Sequence, residues 1–204
     1  MLGKTLENVF IKIWVIIKLN LIFWLFSFSG LLVFGIGPAL KTINELFINY
    51  KFNDKEITLN TSWSIYKKNL LRGNSLFYTF LLASSFIIYN LFLSVQIQRL
   101  SFLIINFLLL FALLFIFTIF QYTLLLDSYY EISFCLLLKL AIISTFANFS
   151  AFFKLILGTG IIFFITWRYK GFILFCSIAM IQIWSYYATK KWRMLINERL
   201  GIYE

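Results

Sequence analysis

Residues 19–40, 73–98 and 100–126 each run without a charged side chain, and residues 171–189 form a slightly shorter stretch of the same kind. An α-helix rises ~1.5 Å per residue, so about 20 residues cross the ~30 Å hydrocarbon core of a bilayer. A chain of 204 residues has no other use for so many consecutive apolar positions. The sequence therefore predicts an all-α fold: a polytopic transmembrane helix bundle of about five spans with interfacial amphipathic helices, forming a single integral membrane domain over 1–204. Hydrophobic residues make up 62% of the chain and charged residues 13%, against about 45–50% and 25% in soluble domains.

The spans are expected near 19–36, 76–95, 101–126, 149–167 and 171–189. Before the first, Lys4, Asn8 and Lys12 recur on one helical face and Leu6, Phe10, Ile13, Trp14 and Ile17 on another. This segment either lies in the interface or begins a long first helix. Gly35, Gly37 and Pro38, the last being the chain's only proline, are read as a helix break. Residues 39–74 form the long hydrophilic loop, expected to be cytoplasmic. Within it, Asn60-Thr61-Ser62 offers N-cap chemistry for a short basic amphipathic helix from Trp63 to Arg72 lying on the membrane surface. Residues 96–99 read as a tight hairpin.

Residues 127–168 admit two readings. Lys139 and Lys154 bound uncharged pieces of 14 and 13 residues, short for a crossing. The preferred reading places an interfacial elbow helix at about 131–146 and a fourth span after it. The other makes 132–150 a full span.

Loop charges decide the orientation. With five spans, 12 of the 18 Lys and Arg residues fall on the side of the first loop and 6 on the other. Positive residues concentrate in cytoplasmic loops, which predicts the N-terminus outside and the C-terminus inside. The formal net charge of +10 is thereby assigned to anionic lipid, and nucleic acid is not expected as a partner. Codon-biased Phe, Ile, Leu, Asn and Lys usage suggests a low-GC bacterium, hence the bacterial plasma membrane. No cleavable signal peptide is expected. Cys135 and Cys176 form no CxxC and read as small buried hydrophobes.

The chain contains no histidine, which removes the commonest general base and metal ligand. Its eight acids, Glu7, Glu45, Asp54, Glu56, Asp127, Glu131, Glu198 and Glu204, fall in loops or near termini, so no intramembrane carboxylate pair is foreseen for ion coupling. There is no P-loop. No catalytic, cofactor or metal site is expected, and the chain reads as a non-enzyme. The intramembrane polar residues singled out are Asn20, expected to hydrogen-bond between helices, and Lys154, expected to snorkel from a helix end.

Two segments carry a resemblance. One is Asn20-Leu-Ile-Phe-Trp24 followed by Gly30-Leu-Leu-Val-Phe-Gly35-Ile-Gly37-Pro38-Ala39. The other is Thr61-Ser-Trp63-Ser-Ile-Tyr66-Lys67-Lys68-Asn69, continuing to Asn74. In this order they resemble the YesL family of small bacterial multispan proteins, a domain of unknown function often encoded with carbohydrate ABC importers. The resemblance covers about the first third of the chain. It implies an accessory membrane protein of an ABC-type sugar or oligosaccharide uptake system, with no catalytic residues to carry over. Trp63, Tyr66, Lys67, Lys68, Asn69 and Arg72 are then candidates for docking on permease or ATPase subunits, because Trp, Tyr and Arg are favoured interface anchors. The alternatives are a bacteriocin-immunity or stress-protection membrane protein, and a small-solute transporter, for which Gly158-Thr159-Gly160 is the one hint of a broken helix.

Overall fold

The computed structural model describes residues 2–130 and 132–200; Glu131 and Glu204, counted above among the loop and terminal acids, lie outside them. The described residues are helical almost throughout: α1 (Leu2–Ser29), α2 (Ile36–Tyr50), α3 (Leu59–Val95), α4 (Leu100–Tyr129), α5 (Phe134–Ala147), α6 (Phe149–Arg168), a π-helical turn (Ile173–Ser177) leading into α7 (Ile178–Ala188), and α8 (Lys190–Leu200). Four helices are long and apolar enough to cross a membrane: Gly3–Ser29, Leu59–Val95, Leu100–Tyr129 and Phe149–Arg168. The stretch read as a fifth span, Ile173–Ala188, is a shorter apolar helix. The protein is thus an all-α, multi-pass membrane bundle.

The first helix is continuous from Leu2, so the amphipathic N-terminal segment is the start of α1 rather than a separate element. It ends at Ser29, earlier than the expected 36. Between α1 and α2 the chain doubles back in a turn in which Leu31 and Leu32 adopt φ of 54° and 61°, a left-handed conformation that non-glycine residues rarely take. Gly35 permits the reversal: a Cβ there would lie 2.3 Å from the Ser27 carbonyl oxygen. Gly37 and Pro38 fall inside the first turn of α2. Proline is tolerated in a first turn because its missing N–H has no intrahelical partner to lose. The break therefore precedes Pro38.

The surface helix expected over Trp63–Arg72 is the N-terminal third of α3, which runs for 37 residues without interruption. Its N-cap is Thr58, whose hydroxyl accepts from the Thr61 amide at 3.2 Å, rather than Asn60, Thr61 or Ser62. Helix and span merge because Arg72, at the expected boundary, is neutralised by an acid from α4.

α2 packs antiparallel against this part of α3 at a small-residue crossing. A Cβ on Gly37 would meet the Gly73 carbonyl oxygen at 2.5 Å, and one on Gly73 would meet Pro38 Cα at 2.6 Å. One face of α3, Ser62, Tyr66, Asn69, Gly73 and Leu76, is buried along this seam. Val15, Leu19, Phe26, Ile43, Leu46, Phe47, Tyr66 and Leu125 form the principal core. Leu76, Tyr122, Leu126, Leu137 and Ala141 form a second, where α5 meets α4.

Candidate functional site

Asn20 is fully buried, and its amide group joins α1 to the last apolar segment. Nδ2 donates to the carbonyls of Ile173 (3.0 Å) and Leu174 (2.7 Å), while Oδ1 accepts from the amides of Ile178 (2.9 Å) and Ala179 (3.0 Å). Trp24 Nε1 donates to the Ile173 carbonyl at 3.1 Å. A π-turn leaves backbone groups out of the regular i→i−4 ladder, and these side chains satisfy them. Both belong to the first resemblance segment, and their part is structural. Lys154 is exposed in the second turn of α6; only its backbone carbonyl is engaged, accepting from Trp184 Nε1 at 2.8 Å. Gly158 provides the room for that indole, since a Cβ there would lie 2.0 Å from Trp184 Nε1. A packing role thus accounts for the glycine that had hinted at a broken helix.

Charge converges where α2, α3 and α4 meet. The Asp127 carboxylate, 2% exposed, sits between two cations. Lys41 Nζ bonds to Oδ2, and Arg72 donates to Oδ1 from Nε (2.9 Å) and Nη2 (2.6 Å). Arg72 also donates to the Ile132 carbonyl at 2.7 Å. Glu45, one turn beyond Lys41 on α2, lies 3.7 Å from Nζ. Burial pushes the Glu45 carboxyl above its ordinary range; Asn69, Lys41 and Lys68 oppose that shift and Asp127 adds to it. These groups line a cavity of about 540 Å³ whose rim includes Lys68, Asn69 and Tyr129.

Beside it, across Tyr129, Arg193 of α8 lies 4.7 Å from the Tyr129 ring and 4.1 Å from the Tyr186 ring, and donates to the Tyr186 carbonyl at 2.6 Å. Lys51 Nζ bonds to the Tyr186 hydroxyl. These contacts tie the basic C-terminal helix to the same end of the molecule.

The six docking candidates divide between the two faces of α3. Tyr66 and Asn69 are each 2% exposed, and Tyr66 packs on Phe26 with ring centroids 4.8 Å apart. Arg72 is committed to Asp127. Trp63, Lys67 and Lys68 are exposed. Trp63 is stacked on Tyr66 at 5.4 Å, and Lys67 Nζ lies 5.4 Å from the Trp63 ring. Sequence reasoning missed Asp127 as the shared partner of Arg72 and Lys41, and Glu45 as the neighbour of Lys41. Asp127 alone had left a signal, as an acid directly ending a long apolar run.

The resemblance segments pack on each other. Gly37 meets Gly73 and Asn74 Nδ2 donates to the Phe34 carbonyl at 3.0 Å, while Phe26, between the two parts of the first segment, meets Trp63 and Tyr66. Fold and site together define a helical multi-pass membrane protein with a buried ion cluster at one end. Among the described residues no group of three or more His, Cys, Asp or Glu side chains could hold a metal ion.

Residues 16–91, essentially α1 to α3, match the model of a family described as a protein of unknown function, DUF624. Over this stretch, which is less than half of the chain, the sequence is similar to the DUF624/YesL family. No curated protein and no solved structure matches the chain.

Proposed function

We propose that this chain is a non-catalytic accessory subunit of the bacterial plasma membrane, docking through the outward face of the first turns of α3 on the permease or ATPase subunits of an ABC-type sugar importer. The link to an importer follows the YesL resemblance. The observation that carries the docking surface is the Trp63–Lys67 pair. Trp63 is 40% exposed, yet it rests on buried Tyr66, which rests on Phe26. Its indole is held before any partner arrives, so binding loses little side-chain entropy. Lys67 stands beside it, and Leu71, two turns from Trp63, is 89% exposed. A fixed aromatic flanked by a cation and an apolar side chain has the composition of an interface anchor. The orientation that fits is N-terminus outside and C-terminus inside, which puts this face in the cytoplasm.

The test is co-purification from native membranes in mild detergent, comparing wild type with Trp63→Ala/Lys67→Glu. Tyr66 and Arg72 stay intact because they hold the fold. Anchors of this kind contribute ~2 kcal/mol or more each, so the double variant should lose most of the importer subunits per folded molecule. Unchanged recovery, normalised to the monodisperse chromatographic peak, would refute docking through this face.

A further inference from the structure

We propose that the α1–α2 turn, Gly30 to Gly35, is an insertion surface for lipid acyl chains that ends within the hydrocarbon layer instead of emerging into water. The inference rests neither on the docking face nor on the link to an importer. Leu31 is 82% exposed, Val33 58% and Phe34 61%, and no charged residue occurs from Leu19 to Leu40. Apolar exposure alone does not say what covers the turn; the backbone does. Every amide and every carbonyl from Gly30 to Gly35 has a partner inside the protein. The six amides bond, in chain order, to the carbonyls of Phe26, Phe28, Ser27, Leu31, Gly30 and Leu32. The carbonyls of Gly30, Leu31, Leu32 and Gly35 accept from the amides of Phe34, Val33, Gly35 and Ala39. The two left over are capped by side chains of α3: the Tyr78 hydroxyl donates to the Val33 carbonyl at 2.6 Å, and Asn74 Nδ2 to that of Phe34 at 3.0 Å. Leu31 and Leu32 take left-handed backbone within this closed set.

A loop in water needs no such closure. Between Lys51 and Thr58, where Lys51, Asn53, Lys55 and Glu56 are exposed, only the amides of Lys51, Asn53 and Thr58 bond to a backbone carbonyl among the described residues. Hydrocarbon offers neither donor nor acceptor, so an irregular segment enters it only with its polar groups satisfied by protein. The depth agrees. Asn74 and Tyr78 fix the level of the turn along α3, which continues 17 residues beyond Tyr78 to Val95. That is about 25 Å of helix, within a ~30 Å hydrocarbon core, and α3 carries no charge from Gly73 onward. A protein partner would also cover the apolar side chains, but protein interfaces supply hydrogen bonds and water and do not require each carbonyl of the turn to be capped beforehand.

The experiment uses the full chain with Cys135→Ser and Cys176→Ser, a nitroxide label on Leu31→Cys, and reconstitution into vesicles of phosphatidylglycerol and phosphatidylethanolamine. Electron paramagnetic resonance measures collisions of the label with oxygen, which concentrates in hydrocarbon, and with a neutral nickel chelate, which stays in water. The same label on Lys55→Cys is the reference for a loop in water. The expected result is an oxygen-to-nickel collision ratio several-fold higher at position 31 than at position 55. If Leu31→Cys does not fold, Val33→Cys is read in the same way. A ratio equal to that at position 55 would place the turn in water and overturn the proposal. Few collisions with either reagent would show the turn covered by protein, from a second copy or another chain, and would overturn it as well.

Discussion

At one end of the α3–α4 hairpin, Ser62, Tyr66, Asn69, Gly73 and Leu76 of α3 and the run from Gln121 to Asp127 of α4 are buried. At the other end of the same two helices, Leu82, Phe86, Phe92, Leu100 and Phe107 are 65–82% exposed. The buried end carries the polar and charged residues and the exposed end the apolar ones, the reverse of a soluble protein. The difference is one of solvent. Lipid chains are as apolar as these side chains, so bare leucine and phenylalanine cost nothing there. Where lysine, arginine and aspartate must coexist with apolar packing, only neighbouring protein groups can satisfy them. One end takes its structure from protein contacts, and the other from the bilayer.

Substitutions should therefore be costly at the buried end and nearly silent at the exposed one. Asp127→Asn is expected to have the largest effect, because it leaves Lys41, whose side chain is 8% exposed, without its main counter-charge. Breaking a buried pair costs about 3–5 kcal/mol. Folded yield and melting temperature in detergent should both fall sharply, while Phe86→Ala, at 70% exposure, should stay within about 0.5 kcal/mol of wild type. Equal effects of the two would erase the contrast.

Asn20→Leu comes next. It keeps the volume but strands the backbone groups of the π-turn that the amide satisfies. Each buried unsatisfied group costs about 1–3 kcal/mol, and faster hydrogen exchange around residues 173–179 would locate the damage. Protection unchanged from wild type would mean the turn does not depend on Asn20.

Gly73→Ala should cost about 1–3 kcal/mol, since the new methyl meets Pro38 backbone that cannot move aside. Gly160→Ala, where a Cβ has open space, is the control and should be neutral or slightly stabilising. A melting temperature for Gly73→Ala equal to that of the control would contradict the tight α2–α3 crossing.

Glu45→Gln gives the smallest effect and the opposite sign. The folded-state pKa of Glu45 lies above its unfolded value, chiefly through burial. The folded protein thus holds this proton more tightly than the unfolded chain, and this group's contribution to stability declines as pH rises from the unfolded pKa through the folded one. The penalty is absent in acid and grows as pH rises toward neutrality. The groups facing Glu45 are Lys41 on its own helix, Asn69 and Lys68 on α3, and Asp127 on α4. Glu45→Gln should raise the melting temperature at pH 7 and flatten its decline between acid and neutral pH. A lower melting temperature at pH 7 would show that the ion pair with Lys41 outweighs desolvation.

Charge-free runs revealed the helices because burial in hydrocarbon writes itself into composition over tens of residues. Asn20 was legible as an interhelical hydrogen-bonder for the same reason: a lone amide in such a run needs a partner. The ion cluster was not legible. Asp127 pairs with Arg72 across 55 residues and with Lys41 across 86, and each looks like an ordinary loop charge in sequence. The same blindness cut α3 in two. Arg72 read as the edge of a surface helix because its neutralising partner lay on another element. The docking candidates were chosen by residue type, which does not distinguish the buried stripe of α3 from its outer face. The resemblance segments, finally, proved to be two sides of one interface, so they report a fold more than a chemistry.

We propose that the ends of the α3–α4 hairpin face opposite sides of the membrane, with the ion cluster on the cytoplasmic side. Lys55, in the turn before α3, and Arg99, between α3 and α4, are both exposed and mark the two ends. Each is replaced by cysteine in a background lacking Cys135 and Cys176, and cells are treated with a membrane-impermeant thiol reagent. The account predicts labelling at position 99 in intact cells and at position 55 only after permeabilisation. Labelling of position 55 in intact cells, with position 99 protected, would contradict it.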